Sequence, residues 1–334
     1  MNAHLPALQV VLPLLAAPVC VLLRNRRAVG VWATLVAWAS LAIAITMLVH
    51  TMEHGTISYA LGGWESPLGI ELRVDVANAF LATIVTGIAS MVLPYGPGSA
   101  TLAIPQDRQY LFYTAFLLCM TGLLGMSVTG DAFNVFVFVE ITSLSSYTLI
   151  ALGKGRRALT AAFSYLVMGT IGGTFILLAI GLCYQMTGTL NMADMALRLQ
   201  PVMGTRTVLV AFGFFVVGAS IKLALFPLHQ WMPNAYTHAP SVVSAFLSAT
   251  ATKVSYFVLV RVVFTIFGAA YVFGTVHFEW LLMPLSIAAM FVGSIAAMYQ
   301  THIKRLLAYS SMAQIGYMTL GLSMNSVEGL TGGL

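Results

Sequence analysis

Long apolar runs separated by short polar stretches set the pattern of this chain. Windows of spanning length fall near residues 5–23, 28–49, 74–94, 109–129, 131–152, 158–186, 207–226, 240–267, 278–300 and 304–324. A helix rises 1.5 Å per residue, so about 20 apolar residues cross the roughly 30 Å of bilayer hydrocarbon. The pattern predicts an all-α integral membrane protein with about ten transmembrane helices. Two connections are longer. In 51–73, Leu61-Gly62-Gly63-Trp64 and Pro67-Leu68-Gly69-Ile70 are turn signals that predict a small hairpin outside the hydrocarbon. In 189–206, Met, Leu, Asp and Arg at mixed spacing predict a short interfacial helix.

Composition removes the alternative of a soluble two-domain protein. Of 334 residues, 59% are hydrophobic and 7% charged, against about 25% charged in ordinary globular domains. The net charge of +5 would suggest anionic partners, but its placement says otherwise. On one set of alternate connections lie Arg24, Arg26, Arg27, Arg108, Lys154, Arg156, Arg157, Lys304 and Arg305; on the other lie only Arg73, Arg198 and Arg206. This bias predicts a multi-pass protein of a bacterial-type inner membrane, with odd-numbered loops cytoplasmic and the N-terminus outside. The basic clusters are thus orientation signals rather than nucleic-acid contacts. Arg24, Arg26 and Arg27 follow the first apolar run where a cleavage site would stand, so that run is expected to be a retained helix. Cys20, Cys119 and Cys183 lie singly, and the seven histidines have no metal-ligand spacing. Neither a disulfide framework nor a metal or iron–sulfur centre is expected, and no cofactor is predicted.

Three ionisable side chains interrupt the apolar runs: Glu140 in the fifth, Lys222 in the seventh and Lys253 in the eighth. A charge in hydrocarbon costs about 3 kcal/mol or more, so such residues pair, face a hydrated interior and mark ion paths. An acid and two amines on helices of one bundle predict a proton relay, the protonation of each lysine responding to a nearby moving charge. A static ion pair, or a lysine snorkelling to the interface, would use the same residues. Small and hydroxylic neighbours, Ser220, Thr250, Thr252 and Ser255 among them, allow close helix approach and ordered water. Pro227 is expected to break the seventh helix just after Lys222. The polar stretch beyond it carries His229 and His238, candidates for proton uptake or release because histidine titrates near neutral pH. Either could instead anchor a loop at the interface. Asp131 is expected to cap the fifth helix, and Arg261 to snorkel from the eighth. Gly153-Lys154-Gly155 lacks the spacing of a phosphate loop.

These motifs carry a resemblance. The stretch Phe226 to Ser241, with Pro227, His229, Trp231, Pro233, Asn234, Tyr236 and His238, resembles the seventh-to-eighth helix signature of the antiporter-like membrane subunits shared by respiratory complex I, membrane-bound hydrogenases and Mrp-type cation/proton antiporters. Ile303 to Tyr317 resembles its tenth helix, and Gly130 to Phe136 followed by Glu140 its fifth. The Asn234-Ala235-Tyr236 form of the loop is closest to the D-type branch of the Mrp antiporters. The resemblance implies a fold of about fourteen helices with two inverted five-helix repeats, each containing a broken helix. It divides this chain into 1–108 (helices 1–3 with an external hairpin), 109–267 (the first repeat, helices 4–8) and 268–334 (the start of the second). It implies that Glu140, Lys222 and Lys253 form the first half-channel. Glu328 to Leu334 resembles the lead-in to the eleventh, broken helix, so the chain is expected to be C-terminally incomplete relative to the family. The implied function is proton translocation in a multisubunit cation/proton antiporter, with other membrane subunits, protons, Na+ and the lipid bilayer as partners. A pumping subunit of an NADH–quinone oxidoreductase or hydrogenase-like complex is the alternative, and a non-transporting scaffold or bicarbonate-uptake partner a third. Redox chemistry is not expected in this chain under any of them.

Overall fold

The computed structural model describes residues 4–96, 98 and 104–333. Leu334, at the end of the stretch likened to the eleventh-helix lead-in, lies outside the described residues, as do 1–3, 97 and 99–103 in the expected segment 1–108. The helices are α1 (Leu5–Leu23), α2 (Arg26–His54), α3 (Val76–Val92), α4 (Gln109–Val128), α5 (Ala132–Ala151), α6 (Arg156–Thr187), α7 (Met192–Leu199), α8 (Arg206–Leu223), α9 (Trp231–His238), α10 (Ser241–Arg261), α11 (Ala269–Gly274), α12 (Glu279–Met298), α13 (Ile303–Ser323) and α14 (Val327–Gly333). Among the described residues nine helices are long and apolar enough to cross a membrane. The tenth expected span forms α13, 21 residues long, but it is not among the nine; Lys304, Arg305 and several hydroxyl and amide side chains dilute its apolar character.

Local signals explain the boundaries. Asn25 caps α2 by accepting from the backbone N–H groups of Arg27 and Ala28, two of the donors that a helix start leaves without partners. Asp75 and Asn78 form a reciprocal capping box at α3. Asp131 accepts from the N–H of Asn134 at 2.7 Å and so caps α5. Pro13 and Pro18 lie inside α1, as membrane helices tolerate where neighbouring groups satisfy the freed backbone. The connection 51–73 contains the expected hairpin, β1 (Ile57–Ala60) paired antiparallel with β2 (Glu71–Val74). It begins later than expected because α2 runs on to His54. Between 189 and 206 lies the short helix α7.

The chain divides into two compact units. The first comprises residues 1–166 and 238–254. Its centre is α4, where 16 of 20 residues are buried, as expected of a helix apolar all round. Phe112, Phe116 and Phe246 are fully buried there, and the rings of Phe116 and Phe246 lie 4.4 Å apart. Gly122 and Gly125 of α4 let α5 approach: a Cβ at either would collide with Thr142 or Phe138. The hairpin closes on the α4–α5 connection, with Leu72 bridged to Thr129 and the N–H of Gly130 donating to the Glu71 carbonyl at 2.9 Å. Asn78 donates to the Ser127 carbonyl beside it.

The second unit comprises residues 167–237 and 255–334. Here α6 and α8 meet at two glycines; a Cβ on Gly218 would lie 2.6 Å from the Gly172 carbonyl oxygen. An aromatic cluster of Phe212, Phe267, Tyr271 and Phe278 surrounds the π-helical turn Val262–Phe267, which ends at Gly268 with φ of 77°. The contact between α12 and α13 is equally close, a Cβ on Gly293 falling 2.9 Å from the Ala313 nitrogen. Small residues at such crossings gain dispersion contact where hydrocarbon removes any hydrophobic drive for helices to associate.

Candidate functional site

The three intramembrane charges sit in three different backbone settings. Glu140 lies mid-helix in α5, half-buried, with Oε1 buried and without a hydrogen-bond partner among the described residues. An unbroken helix satisfies its own backbone, so what Glu140 needs must come from side chains or water. One turn on, Ser143 donates to the Val139 carbonyl at 2.6 Å. Two turns on stands Tyr147, on the same helical face.

Lys222 lies at the penultimate position of α8 and is 7% exposed. The helix ends at Leu223, before the seventh window does and four residues before Pro227. The cap is Ala224, in the left-handed region with φ of 61°. Its N–H bonds the Ile221 carbonyl at 3.2 Å, and that of Leu225 the Ser220 carbonyl at 3.0 Å, the paired pattern that closes many helix C-termini. The Trp231 indole, 1% exposed, also donates to the Ile221 carbonyl at 2.9 Å. The chain then resumes as α9. A helix C-terminus carries about half a negative charge. The break therefore places the Lys222 side chain in the field of that terminus.

Lys253 lies in α10, and its Nζ donates to the Ser248 carbonyl at 2.7 Å. Helical side chains lean towards the N-terminus, which brings an ammonium over a carbonyl of the preceding turn. Thr252 is buried beside it with Oγ1 unpartnered among the described residues. His229 stacks on Phe226, ring centroids 5.5 Å apart, and its Nδ1 is buried without a hydrogen-bond partner among the described residues. His238 ends α9, and its carbonyl lies against Gly153, where a Cβ would collide with it. Glu140, Lys253 and His238 belong to the first unit; Lys222, Pro227 and His229 belong to the second.

Two side chains were not singled out from the sequence. Tyr147 and Tyr165 are each 5% exposed, their rings edge to face at 4.7 Å. The seven-residue spacing from Glu140 to Tyr147 puts both on one helical face and was the available signal. Arg261 lies with its guanidinium 5.0 Å over the Phe257 ring. Among the described residues no group of three or more His, Cys, Asp or Glu side chains could hold a metal ion.

The transmembrane family of NADH:quinone oxidoreductase and Mrp antiporter subunits matches residues 129–334, a stretch that includes Glu140, Lys222 and Lys253. Over 345 aligned residues the chain is 43% identical to a protein named NADH-quinone oxidoreductase subunit N from Desulforudis audaxviator, covering 100% of this chain and 66% of that protein. It is 31% identical over 337 residues to a putative antiporter subunit, mnhD2, of Staphylococcus haemolyticus, again covering 100% of this chain and 66% of the relative. Its fold superposes on a chain of the Mrp complex from a Dietzia species with a TM-score of 0.88 at 25% identity, covering 99% of this chain and 60% of that one. The chain thus spans about two thirds of the length of these curated relatives. By motif, sequence and fold together, it belongs to the antiporter-like membrane subunit family of NADH:quinone oxidoreductase and Mrp antiporters.

Proposed function

We propose that this chain is a proton-translocating membrane subunit of a multisubunit Mrp-type cation/proton antiporter, with protons passing along Glu140, Lys222 and Lys253. The observation that carries the reading is the buried Lys222 at the broken end of α8. A buried ammonium at a helix terminus is costly to keep without a charge to exchange with. In the cycle, a charge change in a partner subunit draws Glu140 away from Lys222. An ion pair at about 4 Å is worth roughly 4 kcal/mol at an effective dielectric near 20, enough to shift a proton from one amine to the next. Once Lys253 has passed its own proton onward, Lys222 releases its proton to the lone pair of the neutral Lys253 amine, whose N–H keeps the bond to the Ser248 carbonyl. The hydroxyls of Ser220, Thr250 and Thr252 line the way, and His229 and His238 serve uptake or release.

In this reading the odd-numbered loops are cytoplasmic and the N-terminus external, from the distribution of basic residues. The partners are the other membrane subunits of the assembly, and the coupled ions are protons and Na+. The relative named NADH-quinone oxidoreductase subunit N, at 43% identity, favours a second reading: the same relay driven by electron transfer in other chains. Purification of the intact assembly separates the two, since co-purifying iron–sulfur subunits support the second and their absence with sodium-sensitive growth of a deletion strain supports the first. The relay itself is tested by Lys222→Ala in the assembled complex, in membrane vesicles. Proton transport is expected to vanish with assembly intact, and transport at the wild-type rate refutes the relay.

A further inference from the structure

On the face of α5 that carries Glu140, the side chains one and two turns on both bear hydroxyls. Ser143 is 2% exposed and Tyr147 5% exposed. Positions three, four and seven apart lie above one another on a helix. The Tyr147 side chain leans back towards Ser143, four residues earlier. Across the gap to α6, Tyr165 meets Tyr147 edge to face, with ring planes at 84°. Packing alone does not require these oxygens. Two phenylalanines would fill the same space at the same angle, and removing the hydroxyls would spare the cost of burying polar atoms. Both tyrosines and Ser143 belong to the first compact unit, as Glu140 does.

The direction of the row is informative. Glu140 is eleven residues from the end of α5 at Ala151 and Tyr147 only four, about 17 Å and 6 Å along the axis. Tyr165 is nine residues into α6 from Arg156, about 14 Å along the axis, and its side chain leans back towards that end as Tyr147 leans away from it. The row therefore runs from the mid-membrane carboxylate towards the basic connection of Lys154, Arg156 and Arg157.

We infer that Ser143, Tyr147 and Tyr165 form a hydroxyl ladder that hands protons between Glu140 and the end of the bundle bearing Lys154, Arg156 and Arg157. This rests on the relay reading and extends it to a side branch that feeds Glu140. The Glu140 carboxylate takes a proton from the neighbouring hydroxyl. Tyr147 Oη has no hydrogen-bond partner among the described residues, so that oxygen takes one from the next hydroxyl through an intervening water, and the last takes one from water reaching in from the loop. Each oxygen loses one proton and gains one, so no tyrosinate persists. The hydroxyls then rotate to restore the starting order.

The test is Tyr147→Phe and Tyr165→Phe in the assembled complex, with proton transport measured in vesicles and Glu140→Gln alongside. Each change removes one oxygen and keeps the ring, so assembly and thermal stability stay near wild type. Transport is expected to fall at least roughly tenfold, within the range that positioned proton-transfer groups supply. Tyr147→Phe combined with Glu140→Gln is expected to be no worse than Glu140→Gln alone, since both act on one path. Wild-type transport by both tyrosine variants, with Glu140→Gln inactive, overturns the ladder and leaves the relay standing. Wild-type transport by Glu140→Gln as well overturns the relay reading itself. A loss that tracks reduced assembly in both variants assigns the tyrosines to packing and overturns the ladder.

Discussion

Helices α5 and α8 start from similar sequences, each about 20 apolar residues interrupted by one ionisable side chain, yet the fold treats them differently. In α5 the backbone runs unbroken past Glu140. In α8 it stops one residue after Lys222 and turns through a left-handed alanine. A mid-helix residue feels little of the helix dipole, whereas one in the last turn feels most of it. The acid thus depends on neighbouring side chains and water, and the amine on a fixed field. In the proposed relay, an acid without a fixed partner and an amine in a fixed field would favour transfer in one direction. Had both helices broken, or neither, that asymmetry would be missing.

The comparison is broken most completely by Lys222→Ala, described above, which removes the amine that stands at the α8 terminus. Next comes Gly218→Val. Its Cβ would stand 2.6 Å from the Gly172 carbonyl oxygen and 2.8 Å from Ile176 Cγ1, forcing α6 and α8 apart. Loss of assembled complex on native gels is expected, and normal assembly would show that the crossing relaxes freely. Trp231→Phe keeps an aromatic ring but deletes the indole donor to the Ile221 carbonyl. Losing that bond should cost about 1–3 kcal/mol, read as a lower thermal midpoint, with transport reduced because the α8 terminus loosens. An unchanged midpoint would show that Ala224 and Leu225 close the terminus unaided. The smallest effect is on the α5 side. Asp131→Ala removes the cap to Asn134 and should cost about 1 kcal/mol, with proton transport near wild type. Abolished transport with assembly intact would make Asp131 part of the conduction path and the two helices less different than they look.

Much of the first region was legible in the sequence. Asp131 stands three residues before Asn134 at the start of an apolar run, a cap signature that needs only local geometry. Gly62, Gly63 and Pro67 marked the hairpin tip for the same reason. The break in α8 was legible only in part. Pro227 announces an interruption, but the helix ends at Leu223, and nothing local marks Ala224 for a conformation that L-residues other than Gly, Asn and Asp seldom adopt. The Trp231 indole, ten positions from the carbonyl it binds, helps to set the end point, and no window of hydropathy reports such a bond. The Tyr147–Tyr165 contact is similar: each residue reads as an ordinary aromatic in its own helix, and their meeting depends on how α5 and α6 pack.

Apolar run length, charge placement and turn chemistry were sufficient to establish a polytopic helical membrane protein, its hairpin and the helices that carry its intramembrane charges. Those features follow from solvent transfer and short-range sterics, which act residue by residue. Tertiary packing decided where α8 stops after the proline signal and which ring Tyr147 meets on α6. In each case the deciding partner is a group brought near by the folded backbone, and its energy exists only once that backbone is in place.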